Sequence, residues 1–202
     1  MRQPMPPSLA RRVASLRHSA TPTLRVDEAL DRLAGPSSPL ALLVLGTAAW
    51  VPSPGVPLGM AAGLLAVPVA THLLVHGERR VPRVPDRLGR QRLSRPLLDA
   101  VARRAVPVLR RLERMARPRW PIFATGVGAR LAALMALVQA IVVALPIPFG
   151  NTLPGFSIAV MGLALARRDG ALTIASHALG LLGIGIATAL ALATYAGIRW
   201  LV

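Results

Sequence analysis

Three stretches of the chain carry no Asp, Glu, Lys or Arg: residues 40–76, 131–166 and 171–198. Each is mostly apolar and longer than the ~20 residues a helix needs to cross a bilayer. The first two are interrupted in the same way. Pro52-Ser53-Pro54-Gly55 divides one, and Pro146-Ile147-Pro148-Phe149-Gly150-Asn151 divides the other. Proline lacks a backbone donor and clashes with the preceding turn, so two prolines close together end a helix. In hydrocarbon, the backbone groups so freed cost several kcal/mol each unless protein or water meets them. The pattern predicts an all-α, polytopic helical membrane protein with a single membrane domain. Two proline-broken helical hairpins, 39–76 and 131–166, precede one C-terminal transmembrane helix, 171–198.

The arms of the hairpins are short. Residues 40–51 make a helix of only ~18 Å, against a hydrocarbon core of ~30 Å. The arms 131–145 and 151–166 are also short, so full crossing and re-entry both stay open. An offset of about 94 residues places Leu43, Val44, Pro52 and Pro54 on Leu137, Val138, Pro146 and Pro148. That register points to an internal repeat, and the placing of the arginines makes its two copies parallel.

The polar remainder divides into an N-terminal arm, 1–38, and a connection, 77–130. Leu24 to Leu33 is expected as a short amphipathic helix, with Asp27, Glu28, Asp31 and Arg32 opposite its leucines. In the connection, Leu97, Val101, Ala105, Val108, Leu112 and Met115 recur at helical spacing, and Pro107 is expected to kink or split that helix. Arg103, Arg104, Arg110, Arg111, Arg114 and Arg117 take other positions, as in a segment lying on an anionic membrane surface.

Charge sets the orientation. All 24 basic residues are arginine, the net charge is +16, and fifteen arginines fall between Arg79 and Arg130. A nucleic-acid partner is not needed to explain them, because positive charge gathers in cytoplasmic loops beside membrane spans. With the N-terminal arm, the 77–130 loop and Arg167-Arg168 in the cytoplasm, 23 of the 24 arginines lie inside. Residues 1–34 hold six arginines and no continuous apolar core, unlike a signal peptide.

The break segments are the candidate ligand-binding residues: Pro146, Pro148, Gly150, Asn151, Thr152 and Pro154 in one hairpin, Pro52, Pro54 and Gly55 in the other. Asn151 can cap the helix that follows, whose N-terminus carries unpaired N–H groups suited to an anion. Against this stands a simple surface turn. The other chemistry is thin. Cysteine is absent, which removes disulfides and thiolate metal sites. His72, His76 and His177 lack metal-ligand spacing, so no metal or cofactor is expected. No span contains an acid, which weighs against cation-coupled transport and against paired-carboxylate glycosyl chemistry. No catalytic residue is assigned. Small residues at Ser176, Gly180, Gly185, Ala189, Ala193 and Gly197 suit close helix packing or self-association into a homo-oligomer.

The run Leu145-Pro-Ile-Pro-Phe-Gly-Asn-Thr-Leu-Pro154, then Gly162-Leu-Ala-Leu and Arg167-Arg-Asp-Gly170, resembles the second half of the ExoD family. So does Leu112-Glu-Arg-Met-Ala-Arg-Pro-Arg-Trp120 before it. The first half departs from the pattern: His72 stands where the family tends to carry glutamine, and a Trp-Leu-Pro element is replaced near Val84-Pro85. The resemblance implies a bacterial inner-membrane protein linked to exopolysaccharide synthesis, with no established catalytic chemistry. The expected role is accessory and non-catalytic, with an anionic lipid-linked sugar handled at the Pro-x-Pro breaks. A small ion or solute transporter, or a scaffold recruiting exopolysaccharide synthesis proteins, are the alternatives.

Overall fold

The computed structural model describes residues 38–51, 58–77, 114–145 and 151–201, together with 23–25, 92–94 and scattered positions between them. Five helices carry the architecture: α1 (Ser38–Trp50), α2 (Leu58–His76), α3 (Gly126–Ala144), α4 (Thr152–Arg167) and α5 (Gly170–Leu201). Three are long and apolar enough to cross a membrane: α2, α3 and the Gly170–Ala196 part of α5. With 13 and 16 residues, α1 and α4 reach only about 20 and 24 Å. The all-α reading of a helical membrane protein therefore holds.

Helices stop where the prolines require it. Leu145 has φ −79° and ψ 142°, the extended backbone forced on a residue that precedes proline. By contrast α2 runs unbroken through Pro68. One proline is absorbed inside a helix, whereas the paired prolines coincide with its end. Pro52, Pro54, Gly55, Pro146, Pro148 and Gly150 themselves lie outside the described residues.

Two boundaries differ from the sequence reading. Helix α3 begins at Gly126 rather than 131, because exposed Arg130 extends away from a helix that it does not interrupt. Leu24 is not helical. Thr23–Arg25 (β1) pairs antiparallel with Arg92–Ser94 (β2), setting Leu24 opposite Leu93, while Asp27, Glu28 and Asp31 are helical. The pairing partner lies far along the chain, where periodicity cannot reveal it.

In lipid, helices gain little from hydrophobic contact with one another and associate through close packing at small residues. The hairpins follow this rule. Helix α1 packs most extensively on α4, and α2 on α3; α1–α2 and α3–α4 contacts close a ring, which α2 and α4 cross only briefly. A Cβ added to Gly63 would lie 2.8 Å from Val143 C, and one on Gly155 would lie 2.8 Å from Trp50 N. One on Gly46 would overlap the backbone of Ala159, and one on Gly162 that of Leu43. The matched residues run in opposite directions, so α1 is antiparallel to α4 and α2 to α3. Both hairpin tips consequently lie at one end of the bundle. This arrangement, α1·α4 and α3·α2 as equivalent pairs, is what a parallel repeat of two hairpins produces.

Helix α5 covers α3 and α4 with its first half. Its buried positions, Thr173, Ser176, Gly180, Gly183 and Ala187, recur every three or four residues, and Ala191 to Ala196 are all exposed. Of the small-residue stripe, Ser176 and Gly180 pack inward. Gly185 meets nothing within 4 Å, and Ala189 and Ala193 are exposed.

Candidate ligand site at the hairpin tips

The absence of a side chain at Gly155 brings the start of α4 against the end of α1. That approach places Trp50, the last residue of α1, beside Phe156, with ring centroids 5.6 Å apart and planes tilted by 50°. The rings form one wall of a cavity of about 650 Å³. Pro107, Arg110, Arg111, Arg114 and Met115 form the other. Aromatic side chains beside several guanidinium groups, at a volume within the usual range for bound small molecules, suit an amphipathic anion. Arginine's planar fork matches phosphate or carboxylate oxygens in pairs.

The arginine segment of the sequence reading contributes to this cavity. Described positions from 99 to 115, including Val106 and Pro107, are helical. Arg110, Arg111 and Arg114 are exposed and line this cavity with Trp50 and Phe156. Arg103 and Arg117 are exposed and do not line it; Arg104 is outside the described residues.

Among the predicted break residues, Asn151, Thr152 and Pro154 are described. Asn151 does not cap α4: it makes no side-chain cap bond. Instead a Cβ on Gly59 would lie 2.9 Å from Asn151 Nδ2 and 3.5 Å from Ala49 O. Asn151 thus sits where the two hairpins meet, and its buried Oδ1 has no hydrogen-bond partner. Thr152 is exposed, and Pro154 is buried, with Gly183 of α5 leaving room for its ring.

Two further polar residues are buried: Gln139, which no motif singled out, and Asp169, within the Arg167–Gly170 run. Gln139 on α3 is fully buried, and neither its Oε1 nor its Nε2 has a partner. It lies in the space left by Gly180, about 9 Å along α3 from Leu145. It is the lone polar side chain between Arg130 and Pro146, which was a readable signal. Asp169, 3% exposed, has every visible role filled. Its Oδ1 accepts from Leu172 N at 3.1 Å, capping α5, and its Oδ2 accepts from Arg117 N at 2.8 Å. A hydroxyl series continues from it: Thr173 Oγ1 donates to Asp169 O, Ser176 Oγ to Thr173 O, and Ser157 Oγ to Ser176 O. His177 Nδ1 lies 2.8 Å from Thr173 O. His72 and His76 stack with centroids 4.6 Å apart, and His72 Nε2 is buried without a partner. Among the described residues no group of three metal-ligating side chains gathers.

A profile of the family described as "Exopolysaccharide synthesis, ExoD" matches residues 9–189. The chain belongs to the ExoD family. Two curated relatives illustrate the spread within reach of that match. An uncharacterised protein of Synechocystis sp. is 31% identical over 146 residues, covering 66% of this chain and 62% of its own length. The protein named ExoD of Rhizobium meliloti is 29% identical over 134 residues, covering 64% of this chain and 54% of its own. The chain thus aligns with somewhat more than half the length of each. No solved structure matches. The family is described by exopolysaccharide synthesis, and the three long apolar helices make the chain a membrane protein.

Proposed function

We propose that this protein is a non-catalytic accessory of exopolysaccharide synthesis or export, set in the bacterial inner membrane with its N-terminus cytoplasmic. Its work is to hold an anionic, lipid-linked intermediate at the hairpin tips. The cavity shared by Trp50, Phe156, Arg110, Arg111 and Arg114 carries this reading. Trp50 and Phe156 give the lipid-facing part an apolar seat, and the guanidinium groups meet the phosphate. Arginine at a membrane-embedded bundle is costly unless water or an anion meets it. Arg110, Arg111 and Arg114 are exposed, with Arg114 Nε donating to Arg110 O at 3.3 Å, so their remaining donors are open to a phosphate.

The test is genetic complementation. In cells lacking the protein, an Arg110→Gln, Arg111→Gln, Arg114→Gln variant is expected to reach the membrane at the wild-type level. Polymer output should then fall to that of the empty vector. Full output from the triple variant would remove the arginines from function, and the reading with them.

A further inference from the structure

The opposite end of the bundle presents a second surface, built from residues that the tip site does not use. The segment leading into α3 is pinned rather than loose. Arg117 N donates to Asp169 Oδ2 at 2.8 Å, and Gly170 N donates to Arg119 O at 2.6 Å. Trp120 adopts the left-handed conformation with φ 46°, a costly state for a non-glycine residue. A 3-10 turn, Pro121–Phe123, follows and is closed by Ala124 N donating to Pro121 O at 3.0 Å and by Thr125 Oγ1 donating to the same oxygen at 2.9 Å.

This fixed turn exposes large apolar side chains: Trp120 at 64%, Ile122 at 74% and Phe123 at 47%. Exposed Arg117, Arg119 and Arg168 surround it. The apolar surface continues without a gap along α3 through Val127, Leu131, Leu134, Val138 and Ile141, all exposed at spacings of three or four. That stripe belongs to a helix long enough to cross the membrane, so its occupant is lipid hydrocarbon. Indole rings favour the level where hydrocarbon gives way to headgroups. Arginines just beyond that level meet lipid phosphates.

We propose that residues 117–123 form an interfacial clamp for acidic phospholipid. Trp120, Ile122 and Phe123 sit at the top of the hydrocarbon, and Arg117, Arg119 and Arg168 hold the headgroup phosphates above them. Charge complementarity and continuity with the lipid-facing stripe of α3 both favour a lipid leaflet as the occupant. Because Asp169 fixes the turn before lipid arrives, little ordering entropy is lost on contact. The clamp seats the start of both α3 and α5 at one headgroup level and so sets the depth of the bundle.

The test uses the full chain with Trp50→Phe and Trp200→Phe, leaving Trp120 as the sole tryptophan. It is reconstituted in phosphatidylcholine vesicles with increasing phosphatidylglycerol, using acyl chains brominated near the headgroup or near the tail end. Trp120 fluorescence is expected to be quenched more by shallow than by deep bromines. Phosphatidylglycerol is expected to be enriched around it, with the preference dropping roughly fivefold for each of Arg117→Gln, Arg119→Gln and Arg168→Gln. The lipid titration of the arginine-intact chain stands on its own if a variant unfolds. Absence of quenching by either lipid overturns the clamp and points to a protein partner or second copy on this face. Quenching that ignores phosphatidylglycerol overturns the headgroup site. Loss of the preference in millimolar inorganic phosphate identifies a site for the free ion rather than for lipid, and overturns it equally.

Discussion

The two ends of this helical bundle treat polar groups in opposite ways. From the base, buried Asp169 has both oxygens engaged and a series of hydroxyls runs from it to Ser157, each finding a carbonyl; of the described side chains near that end, His72 Nε2 alone is buried without a partner. Toward the tips, Asn151 Oδ1 and both amide atoms of Gln139 are buried without partners, and Arg110, Arg111 and Arg114 face aromatic rings. A buried polar group left unpaired costs about 1–3 kcal/mol, whereas a paired one contributes modestly. The end where most buried polar groups are paired is therefore scaffold. The unsatisfied end is where a ligand returns what the fold gives up.

Substitutions can break that comparison. The largest effects belong to the seams that hold both ends in register. Gly162→Leu would drive a side chain into the backbone of Leu43; it is expected to cost about 3 kcal/mol, read as a lower unfolding midpoint in detergent. Gly185→Ala serves as its control. A Cβ there meets nothing within 4 Å, so stability should hold or rise by up to ~1 kcal/mol from helix propensity.

Next come the two buried polar residues, for which opposite signs are expected. Asp169→Ala should destabilise by about 2 kcal/mol, since it uncaps α5 and releases Arg117 N. Gln139→Leu should stabilise the ligand-free protein by about 1 kcal/mol, because an unpaired amide gives way to an apolar side chain of similar size. A loss of stability in the Gln139 variant would mean that the amide is paired and that the contrast between the ends is smaller than stated. The smallest effect on stability is expected from Arg110→Gln, Arg111→Gln and Arg114→Gln, within ~0.5 kcal/mol for exposed positions. Equal unfolding midpoints alongside lost polymer output would separate ligand holding from folding.

The sequence made the scaffold legible and the site only partly so. Charge-free runs and paired prolines predicted the two hairpins and the terminal span, because hydrocarbon tolerates few alternatives. The offset of Pro52 and Pro54 onto Pro146 and Pro148 anticipated equivalent α1·α4 and α3·α2 contacts. The strand pair Thr23–Arg25 with Arg92–Ser94 was not legible, since no local pattern encodes a partner so far away. The cavity was hidden for the same reason: Trp50, Arg110 and Phe156 come from three separate segments, and only packing at Gly155 brings two of them together. Asp169 was within reach. It is the last acid in the chain and stands just before a long apolar run, the position of a helix cap.

The central claim is that the arginine segment packs beside Trp50 and Phe156, where α1 ends and α4 begins. The chain has no native cysteine, so Arg111→Cys with Phe156→Cys gives a clean pair for a short bismaleimide in native membranes. An intramolecular cross-link is expected for this pair, with protection from cross-linking when a polyprenyl phosphate is added. It should be absent for Arg111→Cys with Thr188→Cys, on the outer half of α5. A missing link at 111–156, with both cysteines still reactive to monofunctional maleimide, would place the arginines away from the tips and contradict the account.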